Sequence, residues 1–168
     1  MPQTTDVVDI DATIAYMADE LRPFLPKNPL MIGIHTGGVW VAERLHKLLE
    51  LTEPLGTLDI YFYRDDFTRV GVNPTVKTSQ LPVNIEDRHV ILVDDVLQTG
   101  RTIRAGLNEI FDYGRPASVV LAVLLNRDGR ELPIEAAIVG HHLRLKKNQH
   151  IKLFGPDPLK LEIQEAHT

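Results

Sequence analysis

The chain has 168 residues, 43% hydrophobic and 24% charged, with a formal net charge of -5 from 18 Lys plus Arg against 23 Asp plus Glu. That length suits one domain with a real core, and the balance is that of a soluble globular protein. The absence of cysteine excludes disulfides, thiolate metal sites and cysteine nucleophiles. Nucleic-acid binding would need a local basic face, and no apolar run reaches the roughly 18 residues of a membrane span. The start, Met1 to Asp6, lacks the basic and apolar segments of a signal peptide, so the cytoplasm is the expected location.

A helix is expected over about Asp11 to Leu21, where Ile10, Ile14, Met17 and Leu21 recur at helical spacing and Asp9 or Asp11 can cap. Pro23, Pro26 and Pro29 forbid its continuation. Leu30 to Ile34 reads as the first buried strand, running into the small-residue turn His35-Thr36-Gly37-Gly38. A helix at about Val39 to Leu49 should turn Val41, Leu45, Leu48 and Leu49 inward. Leu55 to Tyr63 is a third extended run, with Leu58, Ile60 and Phe62 alternating against Asp59, Tyr61 and Tyr63. The polar segment from Arg64 to about Gln80 is long for a connector, as functional lids are.

Val90-Ile91-Leu92-Val93 reads as a buried parallel strand, and Asp94-Asp95 stands where it should end. Val96 and Leu97 lead into the turn Gln98-Thr99-Gly100-Arg101-Thr102. A helix with Ile103, Leu107 and Ile110 on one face follows, stopped by Gly114-Arg115-Pro116. Strand, acidic pair, turn and helix start make a site for a sugar carrying a phosphate. Turn N–H groups and the helix N-terminus bind the anion, and carboxylates accept hydrogen bonds from vicinal hydroxyls. Ser118 to Leu125 and Ala136 to Val139 read as further strands, with Asn126 to Pro133 a polar connection. The tail after Gly140 reads as a short hairpin or irregular cap broken at Gly155-Pro156-Asp157-Pro158.

Strands alternating with helices give an α/β sheet, whose ligands bind at the carboxyl ends of strands near a switch in strand order. The turns at Thr36 and Thr99 each follow a strand, so both should lie on one sheet edge. There they could take the two ends of a doubly phosphorylated ligand. Several residues have plainer readings beside the functional ones. Trp40 fits core packing. Arg127 could be a solvated loop residue. The cluster His141, His142, Arg144, Lys146, Lys147 and His150 fits a solvated face better than an RNA or phosphate patch. No histidine spacing suggests zinc.

Val90 to Thr102 resembles the 5-phosphoribosyl-1-diphosphate (PRPP) signature of type I phosphoribosyltransferases. More narrowly, the chain resembles the PyrR family of bifunctional pyrimidine-operon regulators and uracil phosphoribosyltransferases. The resemblance runs from about Ile10 to Gly140. It rests on Gly33-Ile34-x-Thr36, Tyr63-Arg64-Asp65-Asp66, Leu81-Pro82-Val83, Val90 to Gly106, Gly114-Arg115-Pro116 and Arg130 to Ile134.

The resemblance implies the type I phosphoribosyltransferase fold: a central, mostly parallel sheet flanked by helices, in one domain over 1–168. A flexible loop is expected at about 64–80 and a small C-terminal hood at about 140–168. The implied reaction is uracil plus PRPP to UMP plus pyrophosphate. The implied candidate catalytic residues are Asp94, Asp95 and Arg64, the two acids holding the ribose hydroxyls. Val96, Leu97, Gln98, Thr99, Gly100, Arg101 and Thr102 would bind the ribose 5-phosphate; His35, Thr36, Gly37 and Gly38 the pyrophosphate; Arg127 and the backbone around Ile151 the base. Mg²⁺ would arrive mainly with PRPP, with Asp94 and Asp95 as further ligands. Implied partners are PRPP, uracil, UMP, pyrimidine-operon leader RNA and further copies of the chain, as a homodimer or higher homo-oligomer, with no membrane.

The chain departs from well-known members at Gly37, where they have arginine, at His35, where lysine is common, and at Asn126-Arg127-Asp128-Gly129, where Asp-Arg-Gly-His is usual. Two alternatives stay open: an RNA-binding transcriptional attenuator or nucleotide sensor with weak or no transferase activity, and a purine phosphoribosyltransferase.

Overall fold

The computed structural model describes residues 3–4, 8–60 and 79–165. After the short strand β1 (Gln3–Thr4), helix α1 (Ile10–Leu21) starts where the Asp9 carboxylate accepts the Ala12 N–H at 3.1 Å. Its Ile14, Met17, Ala18 and Leu21 are buried. The prolines end α1 as expected, but the chain continues as a tighter 3₁₀ helix, Arg22–Lys27. Pro23 is tolerated at its start, where no N–H is required, and Asn28 at φ 50 ends it.

Strand β2 (Leu30–Ile34) is buried throughout. Helix α2 (Gly37–Leu48) begins earlier than the expected Val39, so Gly37 and Gly38 form its first turn. Val41, Leu45 and Leu49 are buried, whereas Leu48 is 48% exposed. It borders an open groove with Ile14, Ala15, Arg44 and Lys47 instead of closing on the core.

Of the expected run from Leu55 to Tyr63, β3 (Gly56–Leu58) is strand, and Leu58 and Ile60 are buried as expected. Tyr61, Phe62 and Tyr63 lie outside the described residues, as does the 64–80 loop except Ser79 and Gln80. There the chain returns to β3: Thr57 and Gln80 exchange backbone hydrogen bonds of 2.8 Å.

Strand β4 (His89–Leu97) passes through the acidic pair instead of stopping before it. The cause is its neighbour β5 (Ser118–Arg127), which pairs Asp94 with Val123, Val96 with Leu125 and Leu97 with Asn126. Helix α3 (Arg101–Tyr113) lies between them in sequence. Asn126 and Arg127 are therefore strand residues, not part of a connection. Strand β6 (Ile138–Leu143) begins and ends later than expected.

The order β3-β2-β4-β5-β6 is parallel at every pair. Side chains alternate between two cores. Met31, Ile91, Val93, Ala122 and Leu124 meet α1 and α2 on one face. Leu30, Ile32, Val90, Leu92 and Val123 meet Ile103, Ala105 and Ile110 of α3 on the other. Burial on both faces is why these strands are continuously apolar in sequence.

The tail is a β-hairpin, β7 (Gln149–Phe154) and β8 (Lys160–Glu165), to which β1 adds antiparallel. The third strand, supplied by the other end of the chain, was not expected. Ile151, Leu153 and Leu161 of this small sheet, with Leu159 from the β7–β8 connection, join the α1–α2 core. Trp40 packs against the same core, in line with its plainer reading, and stands beside Gly155. Arg44 of α2 reaches Asp11 at 3.0 Å and the Pro156 carbonyl at 3.3 Å, tying α1, α2 and the hairpin turn together. Among the described residues, no helix is long and apolar enough to cross a membrane.

Candidate active site at a strand-order switch

From β2 the chain moves outward to β3, then crosses back to place β4 on the other side of β2. The carboxyl ends of β2 and β4 are thus adjacent at the point where strand order reverses. Ligands of open α/β sheets bind at such points. The turn His35–Gly38 leaves one of these ends and the segment Asp94–Thr102 leaves the other.

Small residues let the two meet. A Cβ on Gly33 would lie 2.9 Å from Ala42 Cβ and from Val39 Cα, so α2 packs directly on β2. A Cβ on Gly38 would lie 2.8 Å from the Val93 carbonyl oxygen and 3.0 Å from Asp94 Oδ1. One on Gly37 would overlap the Asp95 carboxylate, 2.8 Å from its Cγ. The His35–Thr36 peptide is cis. The start of α2 lies against both acids.

Asp94 is buried, at 4% exposure, and its Oδ1 accepts the Asp95 N–H at 2.8 Å. Asp95 Oδ1 likewise accepts the Val96 N–H at 2.8 Å. A backbone N–H thus orients each acid.

A cleft of about 260 Å³ opens beside the pair, lined by Asp95, Val96, Leu97, Gln98, Thr99, Gly100, Thr102 and Ile103 and by Ile151 and Lys152 of β7. Gly100, at φ 93, is the N-cap of α3, a conformation that favours glycine. Neither α2 nor α3 has a side-chain cap or an acidic residue in its first turn. Uncapped helix starts of this kind present N–H groups to anions. The Thr99 hydroxyl accepts the Arg101 N–H at 3.1 Å, which leaves its own proton for an acceptor in the cleft.

The block Arg130 to Ile134 braces this turn from behind. Arg130 donates to the Gln98 carbonyl at 2.6 Å and to Asn126 Oδ1 at 2.7 Å. The Glu131 and Leu132 N–H groups both donate to the Thr99 carbonyl, at 2.9 and 3.1 Å. Arg101 pairs with Glu131 at 2.8 Å. Sequence reasoning noted this block without giving it a role. No periodicity or motif signals that a strand-to-strand connection will fold back on the turn before it.

The candidate residues thus fall into three groups. The turn His35–Gly38 meets the acids through Gly37 and Gly38, and Ile151 shares the cleft wall with the segment from Asp95 to Thr102. Arg127 does not line that cleft. It is buried, at 4% exposure, and donates to the Gln149 carbonyl at 2.8 Å, tying β5 to the start of β7. Arg64 lies outside the described residues. Lys152, on the cleft wall, was missed because an alternating tail gives no sign of which strand face meets the site.

A second cavity, of about 510 Å³, lies at the carboxyl ends of β5 and β6. Arg127, Arg130, Arg144 and His142 line it, with Asp128 the acid. His142 shares a 3.1 Å hydrogen bond with Asn126. The rest of the histidine–lysine cluster does not line it.

Residues 6–154 match the family model for the phosphoribosyl transferase domain. The chain is 58% identical over 98% of its length to a protein of Nitrosococcus oceani named bifunctional protein PyrR, of which the match covers 96%. The chain belongs to the PyrR family. PyrR of Pseudomonas paraeruginosa is 57% identical over 87% of the chain and 88% of its own length. Among solved structures, a hypoxanthine-guanine-xanthine phosphoribosyltransferase superposes with a TM-score of 0.63 at 27% identity, covering 84% of this chain and 76% of that one. A purine phosphoribosyltransferase from Pyrococcus horikoshii gives 0.60 at 22% identity, covering 81% and 85%. The PyrR fold is thus the type I phosphoribosyltransferase fold that the Val90–Thr102 motif led one to expect.

Proposed function

We propose that the protein is a uracil phosphoribosyltransferase of the PyrR type, converting uracil and PRPP to UMP and pyrophosphate in the cytoplasm. The observation that carries this reading is the meeting of the Thr36 turn, the Asp94–Asp95 pair and the Thr99 turn at the ends of two adjacent parallel strands. A ligand with phosphate groups at both ends of a ribose matches that spacing of parts.

In the reaction, a uracil ring nitrogen bonds to the anomeric carbon. The bond from that carbon to pyrophosphate breaks, its electron pair leaves with pyrophosphate, and the nitrogen's proton is released. Asp94 and Asp95 hold the 2- and 3-hydroxyls and so orient the anomeric carbon. The Gln98–Thr102 N–H groups and the Thr99 and Thr102 hydroxyls fix the 5-phosphate. The N–H groups at the start of α2 face the leaving pyrophosphate. Arg64, a sequence candidate for a cation toward the leaving group, lies outside the described residues. Ile151 and Lys152 wall the base side, and Arg127 positions that wall through Gln149.

The acids also suit Mg²⁺. Two adjacent carboxylates, each oriented by a backbone N–H, stand beside the helix starts proposed to bind phosphate, and no third acid, histidine or cysteine completes a cage among the described residues. Magnesium sites that share substrate phosphates are built this way. Asp94 and Asp95 would hold the ion, and it would supply charge neutralisation for the departing pyrophosphate.

A regulatory role on pyrimidine-operon leader RNA is the second part of the proposal, favoured by the cavity that gathers three arginines and a histidine against one acid. A dimer would extend that basic surface.

Radiolabelled uracil with PRPP and Mg²⁺ tests the transferase. UMP and pyrophosphate should appear in equal amounts, with hypoxanthine and guanine inert. Turnover of a purine alone would move the protein to the purine branch, and PRPP binding without any turnover would make it a sensor. For RNA, leader transcript should bind at low salt, more tightly with UMP, and weaken steeply as salt rises. No binding under either condition removes the regulatory role.

A further inference from the structure

The glycine at position 37 looks from sequence like a lost cation. The geometry points to something else: we propose that Gly37 is a positioning residue, and that its missing side chain is what lets the Asp95 carboxylate close against the pyrophosphate turn. The inference rests on the transferase reading for its kinetic consequence but not for its structural one.

Three observations carry it. A Cβ on Gly37 would meet the Asp95 carboxylate head-on, 2.8 Å from Cγ and 3.1 Å from Cβ, so the whole side chain is in the way. Asp95 is already committed through its other oxygen, which accepts the Val96 N–H at 2.8 Å. Swinging aside to admit a larger residue would break that bond. Gly38 makes the matching contact with Asp94, since a Cβ there would fall 3.0 Å from Oδ1. The adjacent glycines thus fit the adjacent acids one to one, and the diol-holding carboxylates are located by the turn that receives the leaving group. Ribose and pyrophosphate sites form one steric unit across the β2–β4 junction, and residue 37 sets their separation.

A side chain at position 37 therefore requires the Asp95 carboxylate to shift from this placement. Gly37→Arg should lower turnover, although it restores the residue found in well-known relatives. Gly37→Ala, the smallest intrusion, should lower kcat/KM for PRPP about ten-fold or more. The cost should fall below about two-fold when Asp95 is first replaced by glycine, because the steric conflict is gone. A general packing role for Gly37 would cost the same in both backgrounds.

The closing experiment is the crystal structure of Gly37→Ala, with melting temperatures of the single variant and of Gly37→Ala combined with Asp95→Gly. The Asp95 carboxylate should leave the turn and lose the Val96 N–H, and the double variant should melt higher than Gly37→Ala. If the single variant does not fold, recovery of a folded double variant supports the steric account and non-recovery overturns it. An Asp95 that keeps its wild-type position in the Gly37→Ala structure, or higher turnover in Gly37→Arg, also overturns it. A wild type without transferase activity would sink the functional reading and leave this structural outcome to be read separately.

Discussion

The two turns at the site are held by opposite means. The Thr99 turn is held by hydrogen bonds brought from elsewhere: the Arg130 guanidinium on the Gln98 carbonyl and two backbone N–H groups on the Thr99 carbonyl. The Thr36 turn is held by contact. Glycines at 33, 37 and 38 let helix α2 sit directly on β2, β4 and the two acids. A turn braced by hydrogen bonds can lose one and keep its place, because each is worth a modest net amount. A turn placed by close packing has no such margin, because an interior at crystal-like density cannot absorb an added methyl group without movement.

That difference sets the order of expected effects. Asp95→Ala removes the acid against which the Thr36 turn packs and to which a ribose hydroxyl is assigned, and should lower kcat/KM by about 100-fold or more, the scale of a misplaced reacting centre. Steady-state kinetics at varied PRPP would show this, and wild-type turnover would mean that the acid pair is not the sugar site. Gly38→Ala comes next. The added carbon falls against the Val93 carbonyl and Asp94, so chemical denaturation should report a loss of about 1–3 kcal/mol. An unchanged midpoint would mean that the Thr36 turn is not packed as tightly as described.

Arg130→Ala should do less. Two charge-assisted hydrogen bonds disappear, but the Glu131 and Leu132 N–H groups still hold Thr99. We expect a rise of about three- to ten-fold in KM for PRPP with kcat little changed, and partial recovery in Arg130→Lys. A loss confined to kcat would assign Arg130 elsewhere. Glu131→Gln should do least. Its ion pair with Arg101 joins two side chains that are each about half exposed, and such pairs contribute about 1 kcal/mol or less. If Glu131→Gln proved as damaging as Gly38→Ala, the contrast between the two turns would be wrong.

Much of this site can be read in the sequence because its parts are local. Val90 to Thr102 spells out strand, acids, turn and helix start in order, and His35 to Gly38 repeats the plan on β2. The alternation of Leu58 and Ile60, the Asp9 cap and the stop at Gly114 follow the same local chemistry. What escaped notice depends on partners distant in sequence. β4 continues through Asp94 because β5 continues beside it. Arg127 turns away from the cleft because Gln149, on another sheet, offers a carbonyl. β1 joins the C-terminal hairpin across the length of the chain. Gly37 reads in sequence as a missing arginine, and its close fit to Asp95 appears only once β2 and β4 lie side by side.

The central claim is that the two turns together make one PRPP site across the β2–β4 junction, and a crystal structure with UMP and with PRPP·Mg²⁺ tests it most directly. The account places the 5-phosphate on the Gln98–Thr102 N–H groups, the ribose hydroxyls on Asp94 and Asp95, and the pyrophosphate of PRPP on the start of α2 at Gly37 and Gly38. A 5-phosphate bound at the Thr36 turn, or a ribose that leaves both acids untouched, would contradict it.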